Sequence, residues 1–142
     1  MRAIAILGAV VAVLGFAVRT SSEGINQGDA GGQVDIGASG TDFMRVCANV
    51  GGAAGKDAQQ AQNDATCLAW VEGFADGFTV HDELLGVPRT DRLVCIPKNV
   101  TNAQMVGVIR KYISGNPDKA HRATRLVASL ALAKAFSCKR AR

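Results

Sequence analysis

Four cysteines and two histidines are the residues of this chain best suited to chemistry: Cys47, Cys67, Cys95 and Cys138, with His81 and His121. A thiol nucleophile needs its thiolate beside a histidine base, and neither histidine stands in a nucleophile motif. Zinc sites are built from closely spaced pairs such as C-x2-C, whereas successive cysteines here lie 20, 28 and 43 residues apart. An even cysteine count in a short exported chain points instead to two disulfides. The run His81, Asp82, Glu83 could bind a metal or move a proton, but it follows an apolar helical pattern and reads as a solvated loop. Asn99-Val100-Thr101 matches a glycosylation sequon, although Thr101 has a structural use given below. There is no phosphate loop, no carboxylate pair at catalytic spacing and no Ser–His–Asp order. The expectation is a protein that is not an enzyme, with no catalytic residues, no metal site and no cofactor.

The elements that must position these residues are helices. Phe43, Val46, Cys47 and Val50 stand at i, i+3, i+4, i+7 and predict a short helix over 42–50. Gly51, Gly52 and Gly55 then argue for a loop. A second helix is expected from about Ala65, with Cys67, Trp70, Val71, Phe74 and Phe78 at helical spacing. Gly73 and Gly77 weaken that helix, and their expected use is close approach of a neighbouring helix. Thr101 with Gln104 predicts a capping box, and Val100 with Met105 a hydrophobic staple. Met105, Val108, Ile109 and Tyr112 form the apolar stripe of this third helix, which Gly115 should stop. Asn116 as cap and Pro117 at the first position predict a tight junction into a fourth helix. Its expected apolar face is Ala123, Leu126, Val127, Leu130 and Ala133. No strand-like alternation appears. The fold class is all-α: four helices, with five as the alternative count, stapled by two disulfides.

The N-terminus has the layout of a secretory signal peptide, with Arg2 followed by an apolar run over residues 3–18. Small residues suit cleavage after Ala17 or Ser22, so residues 1–22 are assigned to the signal. The alternative is an uncleaved inner-membrane anchor facing the periplasm, although the run is short of the roughly 20 residues a span needs. Residues 23–41 are Gly-rich and read as a flexible linker. That leaves 42–138 as one helical domain and 139–142 as a basic tail. Charge is polarised along the chain. Residues 20–91 hold 11 acids and 3 bases, while residues 92–142 hold 1 acid and 11 bases. The net +4 conceals this split. An exported chain with an acidic half is a poor nucleic-acid binder. The split fits charge-complementary packing or a protein partner.

A helical hairpin of the third and fourth helices would bring Cys95 near Cys138 and leave Cys47 for Cys67. Crossed pairings stay open, because the segment before Cys95 is long enough to reposition it. Each closed loop contributes about 3 kcal/mol.

The strings CLAWVEGFADGF and CIPKNVTNAQMVGVIRKYISGNPDKAHRATRLVASLALAKAFSC resemble the Rap/Tai family of type VI secretion immunity proteins of Gram-negative bacteria. The residues that carry the resemblance are Cys67, Trp70, Gly73, Asp76, Gly77, Cys95, Ile96, Pro97, Val100, Thr101, Asn116, Pro117, His121, Ala131 and Cys138. The resemblance covers about Phe43 to Cys138, all of the expected domain. Two features depart from the family: Phe136-Ser137 stands where a Pro commonly precedes the last Cys, and the linker is long. The resemblance implies a periplasmic inhibitor that binds a secreted peptidoglycan amidase and blocks its active-site groove with a projecting loop. On this chain the corresponding segment is 81–94, with His81, Asp82, Glu83, Arg89, Asp91 and Arg92 as candidate contacts. A homodimer is compatible with this reading. A reading of another class is a periplasmic stress chaperone or structural helical domain of unknown partner.

Overall fold

The computed structural model describes residues 34–52 and 57–138. The signal segment, most of the expected linker and the basic tail lie outside them. Four helices form the described part: α1 (Gly40–Val46), α2 (Ala58–Leu84), α3 (Asn102–Ser114) and α4 (Thr124–Ala135). Two single 3-10 turns, Arg89–Asp91 and Pro117–Lys119, punctuate the connections. No strand occurs among the described residues. No helix there is long and apolar enough to cross a membrane.

α3 packs on both α2 and α4, and α1 packs on all three. The completely buried centre comprises Phe43 and Cys47 around α1, Cys67 and Val71 of α2, Ile109 of α3, and Val127, Ala128 and Leu132 of α4. Both expected disulfides are present, Cys47–Cys67 and Cys95–Cys138. The second, with the Cys95 N–H donating to the Phe136 carbonyl at 2.8 Å, puts the approach to α3 and the end of α4 at one end of the domain.

Local chemistry explains where α1 and α3 begin. Ser39 caps α1 by accepting from the Asp42 N–H. The Ser39 hydroxyl, and then the Arg45 guanidinium, hold the Asp42 carboxyl below its usual range. A carboxylate is therefore maintained in the first turn, where the helix dipole favours it. The capping box of α3 is complete: Gln104 N–H donates to the Thr101 hydroxyl at 3.2 Å, and Thr101 N–H to the Gln104 side chain at 2.8 Å. Met105 is buried and Val100 packs against the core, as the staple requires.

Several expectations are corrected. α1 spans 40–46 rather than 42–50. α2 starts seven residues earlier than expected, capped by Asp57, whose carboxylate accepts from Gln60 N–H at 2.8 Å. It also continues through His81, Asp82 and Glu83, so these are helical residues and not loop. The helix stops at a Schellman motif. Gly86 takes a left-handed φ of +61°, with bonds from Gly86 N–H to the Glu83 carbonyl and from Val87 N–H to the Asp82 carbonyl. α3 buries Met105, Val106, Ile109 and Ile113, while Val108 and Tyr112 are only partly covered. Gly115 ends α3 with an ordinary φ of −82°, so no left-handed turn is required there. Asn116 caps backwards: its side-chain amide donates to the Tyr112 carbonyl at 2.7 Å, closing α3 rather than opening the next helix.

Because Asn116 is used in that way, α4 begins at Thr124, and its cap residue Ala123 offers no side-chain bond. Residues 34–41, read above as linker, supply the missing partner. Ile36 is buried, and the Gly37 carbonyl accepts from Thr124 N–H at 3.3 Å. The buried Thr124 hydroxyl lies 2.6 Å from the Ile36 carbonyl and 2.8 Å from the Ser39 carbonyl, which share its one proton. Gly40 and Thr41 N–H groups donate to the Arg122 and Ala120 carbonyls at 3.0 and 2.9 Å. This strap replaces a conventional N-cap. Thr124→Val keeps the shape and removes the shared donor, so it is expected to cost about 1–3 kcal/mol of stability. Urea denaturation reads the loss.

Candidate functional site

The apolar face expected for α4 is displaced by one position. Thr124, Val127, Ala128, Ala131 and Leu132 face inward, while Leu126 and Leu130 remain 45% and 41% exposed. Exposed apolar side chains mark an interaction surface where they gather around one depression. Leu93 in the 85–94 loop is exposed as well, whereas the exposed Val80, Leu84 and Leu85 do not line the groove that Leu93 and Leu126 share.

Leu93 of the loop and Leu126 of α4 both line an open groove of about 820 Å³. Its walls are the last half of α2, the 85–94 loop and the first half of α4. An aromatic ladder on α2 leads from the core to this groove. Phe43 meets Trp70 edge-on at 5.7 Å, Trp70 stacks on Phe74 at 4.9 Å, and Phe74 meets Phe78 edge-on at 5.3 Å. Phe74 and Phe78 are half-buried and present aromatic surface to the groove.

Gly73 and Gly77 also line the groove, and a Cβ at either would meet nothing within 4 Å. No neighbouring helix uses the space they leave, which corrects the close-packing expectation. These glycines instead keep the α2 wall low. Gly77→Ala is expected to raise stability by about 1 kcal/mol through helix propensity alone. A thermal melt checks this.

The six candidate contacts divide into two groups. Asp82 and Arg92 serve the fold. Asp82 is buried, and its carboxylate lies 3.2 Å from His81 Nδ1 and 3.8 Å from Arg92 Nε. The same Arg92 nitrogen donates to the Val87 carbonyl at 3.1 Å, so one side chain ties the loop to the end of α2. His81, Glu83, Arg89 and Asp91 are exposed. His81 and Asp91 lie at the groove, with Arg125 of α4 as its basic counterpart. The loop is therefore held by the Schellman turn, by Arg92, by the buried Val94 and by the Cys95–Cys138 bond, while Arg89 and Asp91 stay exposed.

This arrangement suits binding. Ser129, the hydroxyl at the groove, donates to the Arg125 carbonyl of its own helix at 2.8 Å. All four cysteines are consumed in disulfides. Among the described residues, no three His, Cys, Asp or Glu side chains gather as a metal site.

A family model described as Rap1a immunity proteins matches residues 39–138. The chain belongs to that family. The matched span opens at Ser39, the α1 cap, and closes at Cys138 of the second disulfide, so it contains all four helices. No curated protein and no solved structure matches the chain. Immunity proteins act by binding and inhibiting a protein effector, and a groove rimmed by exposed leucines is a surface suited to such a partner.

Sequence reasoning gave no sign of the groove, because the inward and outward faces of α4 both read as helical stripes. The available signal was the choice of side chain. Thr124, Ala128 and Ala131 are small enough for close helix packing, whereas Leu126 and Leu130 occupy the other stripe.

Proposed function

We propose that this protein acts in the periplasm as an inhibitor of a type VI secretion peptidoglycan amidase, docking it through the groove between α2 and α4 and the 85–94 loop. The match to immunity proteins over the whole helical domain carries the reading. Three features support it. The N-terminal segment has the character of an export signal, with an uncleaved anchor as the alternative. Two disulfides fit an oxidising compartment. The loop is secured at both ends while His81, Glu83, Arg89 and Asp91 point to solvent, so little ordering entropy is lost when a partner docks. Inhibition then needs no chemistry: the apolar rim supplies affinity, and the charged tips select the partner and its orientation.

The test is direct. The domain, with both disulfides formed, is mixed with a purified type VI peptidoglycan amidase, taken from the neighbouring reading frame where that frame encodes one. A tight complex at neutral pH and loss of muropeptide hydrolysis at equimolar inhibitor are expected. Undiminished hydrolysis at that ratio would sink the amidase assignment.

A further inference from the structure

The two disulfides differ in setting. Cys47 and Cys67 are completely buried at the junction of α1 and α2. Cys95 and Cys138 are both partly exposed, and their bond anchors the C-terminal end of the 85–94 loop to the end of α4. Exchange requires a thiolate to reach a disulfide sulfur in line, so access separates the two bonds. We propose that Cys95–Cys138 is a site of thiol–disulfide exchange with dithiols, and that opening it loosens the docking loop while the Cys47–Cys67 bond holds the core.

The step balances. One thiolate of the dithiol attacks a sulfur of the Cys95–Cys138 bond, forming a mixed disulfide, and the other cysteine leaves as a thiolate that takes up a proton. The second thiol of the dithiol then displaces the first protein sulfur. Two protein thiols and one oxidised dithiol result, with two electrons passed to the protein.

The other ties predict how far the loop is released. The Arg92 contacts with Asp82 and Val87 do not involve the disulfide, so residues 85–92 stay on α2. The anchor lost is the one around Cys95, whose N–H donates to the Phe136 carbonyl at 2.8 Å. Residues 93–96 should therefore respond most. The effect on effector affinity rests on the docking face proposed above, whereas selective exchange does not.

The experiment uses the intact disulfide-bonded chain, limiting dithiothreitol and a thiol alkylator, with peptide mass mapping and amide hydrogen exchange. Cys95 and Cys138 should be alkylated at least about tenfold faster than Cys47 and Cys67, because opening is local. In the singly reduced species, amide exchange at 93–96 should rise by a similar factor while the helical circular dichroism is kept. Simultaneous opening of both bonds, earlier opening of Cys47–Cys67, or unchanged exchange at 93–96 would each overturn the proposal. Because no effector is present, failure here is distinct from failure of the inhibitor assignment.

Discussion

Replacing Cys47 and Cys67 together by alanine is expected to lower stability by at least about 3 kcal/mol, and full reduction of the chain is expected to unfold it. The two bonds close loops of 20 and 43 residues. Chain-entropy arguments assign about 3 and 4 kcal/mol to loops of these lengths. Total stability for a small domain is roughly 5–15 kcal/mol, so together the bonds account for much of it. The buried pair has a second role, since both cysteines belong to the core cluster with Phe43 and Val71. Alanine at both positions removes core volume as well as the crosslink, which adds to the loss. Urea titration of the double variant reads the effect. A loss below about 1 kcal/mol would mean that helix packing alone secures α1 to α2.

Leu93→Asp combined with Leu126→Asp is expected to weaken effector binding at least about 100-fold while leaving the fold intact. The two side chains are 55% and 45% exposed and lie on different walls of one groove. Removing exposed leucines uncovers no core, so the melting temperature should stay within about 3 °C. Desolvating a carboxylate against a partner's apolar surface is costly, so each aspartate opposes docking actively. The paired control is Leu84→Asp. Leu84 is 80% exposed on α2 and is not among the groove-lining residues. An effect confined to the groove pair is the expected pattern.

What the sequence made legible follows the range of the interactions involved. The third helix was readable because its signals are local: Thr101, Gln104, Val100 and Met105 lie within six residues and cooperate only in a helix start. The disulfide pairing followed from one topological step, the end shared by the approach to α3 and the end of α4. The strap over 34–41 was hidden because its bonds reach across 79 to 88 residues to Ala120, Arg122 and Thr124. Glycine-rich composition argued for a tether there, and a single buried Ile36 hardly alters local hydropathy. The same distance problem misplaced the start of α4. Asn116 next to Pro117 has the local form of a cap, but the Tyr112 carbonyl competes for its side chain and wins.

At the candidate site, the sequence singled out the 81–94 segment as a surface for a partner, and the structure divides that segment between helix and loop. His81, Asp82 and Glu83 read as loop because their polarity breaks the apolar stripe. In the structure α2 continues to Leu84, and the polarity is used differently on each side of the helix. Asp82 faces inward to Arg92, while His81 and Glu83 face water. Gly73 and Gly77 do leave space on α2 by lacking side chains, but no neighbouring helix fills it.

The most direct test of the central claim is an amide-exchange footprint of the domain, free and bound to its effector. Protection is predicted in three places at once: residues 73–84 of α2, the 85–94 loop, and residues 125–130 of α4. Protection confined to other surfaces, such as the exposed side of α3 around Gly107 and Lys111, with these three segments exchanging as in the free protein, would contradict it.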